Sequence, residues 1–70
     1  MNTKELKVQM LRKDKTVEQL CAALGISKSA WWRKTNGHTQ FTQGEIVYLR
    51  RELELDDHQT ALIFFAEEVS

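Results

Sequence analysis

Two stop signals constrain this chain more than any other feature: Gly25, and the Asn36-Gly37 pair. Glycine enters the left-handed backbone region without steric penalty, so it commonly closes a helix. A helical stripe of Leu20, Cys21 and Leu24 runs into the first stop, and Lys28 to Thr35 runs into the second. Start signals precede both stretches. Thr16 and Gln19 have capping-box spacing, and Ser27 can cap again. Residues 16–37 therefore read as a short helix, the turn Gly25-Ile26-Ser27, and a second short helix. Helices of about eight residues are marginal alone and must pack on one another.

The rest of the chain supplies what they pack against. A first helix is expected over Lys4–Lys13, with Thr3 as its cap and Leu6 and Met10 on one face, Leu11 beside them. Asp14-Lys15 ends it. A fourth helix opens at Thr42 with Glu45 three residues on, and Ile46, Leu49 and Leu53 share a face. A fifth opens at Asp56 with Gln59 and runs through Ala61–Ala66. No proline and only three glycines favour helices over strands. The fold expected is all-α, a compact five-helix bundle forming one domain over 1–70. Its expected core is Leu6, Met10, Leu20, Leu24, Ile26, Trp31, Ile46, Leu49, Leu53, Leu62 and Phe65.

Composition narrows the function classes. No apolar run approaches the ~18 residues a membrane span needs, and the first residues lack a signal-peptide layout. Cys21 is the only cysteine, so no internal disulfide forms, and a reducing cytoplasm is the expected home. It reads as a packed small residue, not a nucleophile. His38 and His58 show no ligand spacing, so neither metal nor cofactor is expected. Asp56-Asp57 and Glu67-Glu68 read as helix-start and surface charges, and nothing suggests an enzyme. Net charge is zero, but residues 1–37 hold eight Lys/Arg against three Asp/Glu, and residues 38–70 hold two against seven. That split suggests one face turned to a polyanion.

The layout of residues 16–37 meets the demands of a DNA-binding helix-turn-helix. A small residue, Cys21, stands where the helices cross. Gly25 permits the turn, Ile26 anchors it, and Trp31 pins the second helix. The string Thr16-Val17-Glu18-Gln19-Leu20-Cys21-Ala22-Ala23-Leu24-Gly25-Ile26-Ser27 resembles the T-x-x-x-L-A-x-x-L-G-I-S pattern of the XRE, or Cro/C1-type, family of bacterial and phage regulators. Trp31-Trp32-Arg33-Lys34 followed by Asn36-Gly37 resembles its recognition helix, and Phe41-Thr42 with Glu45-Ile46 resembles small prophage members. The chain departs from the pattern at Cys21, at Asp14-Lys15 and at Lys34. Lys34 is expected to lay its alkyl stem on the core edge with its ammonium in solvent. The resemblance implies a lambda-repressor-like domain and an activity in transcriptional regulation.

Helical geometry then divides the second helix. At 100° per residue, Ala30, Trp31 and Lys34 lie together, and Ser29, Trp32 and Arg33 face the other way with Lys28 at the flank. If Trp31 is buried, Lys28, Ser29, Trp32 and Arg33 face the major groove, where Arg33 can pair with guanine. The helix starts at Thr16 and Ser27, and the backbone around Asn36, His38 and Gln40, are expected to hold phosphates. The partner expected is an operator duplex bound by a homodimer. The alternative is a modulator or anti-repressor that binds a partner phage repressor, for which an exposed Trp32 is suited. On the fifth helix, Ile63 and Phe64 fall away from the Leu62–Phe65 face and are expected at a dimer or partner interface. A tilt of that helix would instead tuck Phe64 under the loop before the fourth helix.

Overall fold

The computed structural model describes residues 1–65. Five helices follow one another: α1 (Thr3–Arg12), α2 (Val17–Leu24), α3 (Lys28–Thr35), α4 (Gln43–Glu52) and α5 (Asp57–Thr60), the last continuing into a π-helical turn, Ala61–Phe65. The chain is all-α over the described residues, as expected. α2 packs on both α3 and α4, and α1 packs on the π turn.

Local hydrogen bonds set the helix starts. Thr16 and Gln19 close a capping box at α2, Thr42 and Glu45 at α4, and Asp56 and Gln59 at α5. Ser27 accepts the Ala30 N–H at 3.0 Å to start α3. At α1 the cap is Asn2, not Thr3. Its Oδ1 accepts the Glu5 N–H at 3.0 Å, while the Thr3 hydroxyl donates to the Thr35 carbonyl at 3.0 Å. Thr3 thus ties the start of α1 to the end of α3.

The helix ends share one device. After α2, Gly25 sits at φ 71°, and the Ile26 N–H reaches back to the Cys21 carbonyl at 3.0 Å. After α3, Gly37 sits at φ 81°, and the His38 N–H reaches the Arg33 carbonyl at 2.9 Å. This is the Schellman pattern. It recurs without glycine after α1, with Asp14 at φ 55° and Lys15 bonded to Met10, and after α4, with Glu54 at φ 51° and Leu55 bonded to Arg50.

The core holds Leu6, Met10, Leu20, Cys21, Trp31, Phe41, Leu49, Leu53, Leu55 and Ile63. Phe41 bridges its two ends. Its ring meets Trp31 edge-on at 5.5 Å and Phe64 edge-on at 5.6 Å, arrangements favoured by the ring quadrupoles. Leu24, Ile26 and Ile46 are half-buried around it. Leu11, expected beside Leu6 and Met10, is 80% exposed.

The C-terminal turn departs from expectation. Ile63 is fully buried and Phe65 is 65% exposed, the reverse of a surface Ile63 and a core Phe65. The reason is winding: i→i+5 bonds turn the chain less per residue than an α-helix does, so a wheel drawn at 100° misplaces the residues. The Asn2 N–H bonds to the Ile63 carbonyl at 2.9 Å and holds the turn against α1. The interface assignment for Ile63 is corrected accordingly. Phe64 is half-buried under the loop before α4, against Phe41. That is the tucked arrangement, not a free interface residue. The rest of the expected apolar face, Ala66 and Val69, lies outside the described residues.

Candidate nucleic-acid interface

α3 has two unlike faces, divided between adjacent residues. Trp31 is 7% exposed and Trp32 is 57% exposed. Ala30, Lys34 and Thr35 turn with Trp31 and are half-buried, whereas Lys28, Ser29, Arg33 and Asn36 are exposed with Trp32. Cys21 is buried where α2 meets α3, its sulfur 3.9 Å from the Ser27 carbonyl. Burial pushes the Cys21 thiol above its ordinary value, so it stays an unreactive thiol at neutral pH.

Lys34 differs from expectation. Its Nζ lies 2.9 Å from a Glu45 carboxylate oxygen and 3.3 Å from the Gln40 carbonyl, and 5.6 Å from the centre of the Phe41 ring. The two side chains are only 13% and 14% exposed. The ammonium is therefore enclosed, not solvated, because Glu45 at the start of α4 is brought over it. Burial pushes the Glu45 carboxyl up. The Thr42 N–H, then the hydrogen bond and charge of Lys34, outweigh that and hold it below the usual range. The pair locks the inner face of α3 to α4.

The exposed face is ordered too. The Trp32 ring stacks on His38, with centroids 5.3 Å apart and planes 19° from parallel. The Trp32 carbonyl accepts from Asn36 Nδ2 at 2.8 Å and Thr35 Oγ1 at 3.2 Å. The Asn36 amide is thus occupied within α3. The backbone N–H groups of Asn36, Gly37, His38 and Thr39 are also spent, each donating to a carbonyl of α3. Residues 36–39 therefore do not offer the phosphate-binding amides expected of them, since the closure of α3 uses them; the Gln40 N–H donates to no acceptor among the described residues. The cap side chains of Thr16 and Ser27 likewise accept from Gln19 and Ala30. What those helix starts leave open is their first two N–H groups, which have no acceptor within a helix.

Ion pairs redraw the charge map. Lys13–Glu54, Lys15–Glu52 and Lys34–Glu45 join the basic half of the sequence to the acidic half, so much of the apparent asymmetry is neutralised inside the fold. Arg50 pairs with Asp57. Lys28, expected to reach DNA, pairs with Glu18 at 2.8 Å, both well exposed. That hydrogen bond and charge lower the Glu18 carboxyl and raise the Lys28 ammonium. Such a pair is screened by solvent and exchanges readily. Among the described residues, Lys4, Lys7, Arg12, Arg33 and Arg51 have no acidic partner.

Of these, Arg33 lies on the exposed face of α3. Lys7 lies on the wall of a groove of about 570 Å3 that Thr3, Trp32 and Asn36 also line. The sequence did not single out Lys7, and it placed Thr3 only as a helix cap. The signal available was only that Lys7 follows the buried Leu6 on α1; its approach to α3 depends on the packing of the two helices. Among the described residues, no helix is long and apolar enough to cross a membrane. No protein-family model matches the chain, and no curated protein or solved structure matches it.

Proposed function

We propose that the chain is a sequence-specific DNA-binding regulator of the repressor/Cro type, working in the cytoplasm and reading the major groove with α3. The observation that carries this reading is the opposition of Trp31 and Trp32. The buried indole and the Lys34–Glu45 pair fix the helix to the domain, so its outer face is presented rigidly. Rigid presentation matters because base readout needs donors held in register with base edges.

On that face Arg33 supplies a planar fork of donors for guanine O6 and N7, Ser29 a donor or acceptor, and the Trp32 ring a flat apolar surface for a thymine methyl. Lys28 exchanges Glu18 for phosphate when the duplex approaches. The open N–H groups at the starts of α2 and α3 add phosphate contacts. One such helix reads few base pairs, so a homodimer on a near-palindromic operator fits this size of domain.

Titration of the protein against the duplex upstream of its own gene, at several salt concentrations, tests the reading. Saturable binding that weakens steeply with salt is expected. Binding to no duplex, or binding indifferent to salt, removes it. A second reading, a modulator that binds a partner regulator, is favoured by the 57% exposure of Trp32 and by the internal neutralisation of charge.

A further inference from the structure

Two depressions beside α1 run into each other. The first, of about 570 Å3, lies between α1 and α3. Buried Leu6, Met10 and Trp31 form its floor, and Lys7, Lys28 and Trp32 stand at its edge. The second, of about 270 Å3, lies between α1 and the start of α2, against Leu11 and Lys15. Lys7, Met10 and Val17 line both, so a single trough crosses this side of the domain.

The trough has large apolar side chains at its ends and cations along it. Leu11 is 80% exposed and Trp32 57%. One exposed Leu is ordinary. Two such side chains at the ends of an apolar-floored trough form the kind of patch that marks a partner surface. Lys7 projects from the shared wall, Lys28 and Lys15 line the two depressions, and no carboxylate lines either. Lys7 has no acidic partner among the described residues, and the Lys28–Glu18 pair is solvent-exposed.

We propose that this trough docks an acidic amphipathic helix of a partner protein. The apolar stripe of such a helix covers Leu11, the Trp32 ring and the trough floor, and its carboxylates meet Lys7, Lys15 and Lys28. A DNA backbone would satisfy the cations but would leave the aliphatic side chain of Leu11 against phosphate, with no gain from burying it. The proposal stands apart from the reading of α3. Where both hold, the docked helix covers Lys28 and Trp32 and so excludes DNA.

The test uses the full chain, labelled with 15N, and a synthetic peptide of about sixteen residues with Leu at i, i+3, i+4, i+7 spacing and Glu elsewhere. Saturable shifts are expected at Lys7, Met10, Leu11, Val17 and the Trp32 indole. Leu11→Gln and Lys7→Gln, both at exposed positions, should each weaken the peptide about fivefold or more. A peptide with Gln in place of Glu should bind about tenfold more weakly. Absence of saturable shifts, shifts on another face, or equal affinity of the Gln peptide or of both variants overturns the proposal. A Leu11→Gln protein that loses duplex affinity but keeps the peptide assigns this face to DNA and overturns it too. Duplex affinity measured without peptide reports separately on α3.

Discussion

Lys34 on α3 and Glu45 on α4 form a 2.9 Å ion pair that is almost enclosed by protein. Glu45 also caps its own helix through the Thr42 N–H at 2.8 Å. One carboxylate therefore starts α4 and holds α3. Lys34→Ala should lower stability by about 1.5–3 kcal/mol, the range for a hydrogen bond to a charged group, as measured by urea denaturation at pH 7. The sign with pH follows from the lowered carboxyl. Stability from Glu45 is present above its unfolded value and is lost as pH falls through the folded one. The gap between wild type and Lys34→Ala should accordingly narrow in acid. A gap that persists unchanged after the carboxyl has protonated would contradict this role.

The adjacent tryptophans should separate stability from binding. Trp31→Ala empties a core position and is expected to cost about 3–5 kcal/mol. Trp32→Ala should leave the thermal midpoint nearly unchanged and weaken binding instead. Equal destabilisation of the two variants would be incompatible with their 7% and 57% exposures.

Arg33→Ala tests base readout. With the helix locked from its inner side, the variant should keep its helical circular dichroism and lose about 1–3 kcal/mol of specific duplex affinity at fixed salt. Nonspecific affinity should fall less. If specific affinity is unaltered, α3 does not read bases through Arg33.

Gly25→Ala isolates backbone strain. A Cβ at this position would meet nothing within 4 Å, yet φ is +71°. The expected cost is about 1–2 kcal/mol, all of it conformational. A neutral result in chemical denaturation would mean that the turn between α2 and α3 relaxes to another geometry.

Much of the local structure was legible because its cause is local. A capping box joins residues three apart, so Thr16/Gln19, Thr42/Glu45 and Asp56/Gln59 could be read in order along the chain. Gly25 and Gly37 marked ends for the same reason, since positive φ is a property of one residue. The division of Trp31 from Trp32 followed from helical angle alone. The ends of α1 and α4 carried a weaker mark, because Asp14 and Glu54 adopt the left-handed conformation that glycine usually signals.

Contacts between distant residues were decided only by the tertiary structure. Thr3 was claimed by Thr35, which left Asn2 to cap α1. Lys34 was enclosed because α4 brought Glu45 over it. The two oppositely charged halves neutralised each other through Lys13–Glu54 and Lys15–Glu52. Ile63 and Phe65 exchanged their expected places once the last helix wound as a π turn against α1. Sequence alone determined where α2, α3, α4 and α5 begin and which way α3 divides, since those depend on bonds spanning three or four residues. Packing decided which charges remain free and which apolar side chains stay exposed, since each depends on partners tens of residues away.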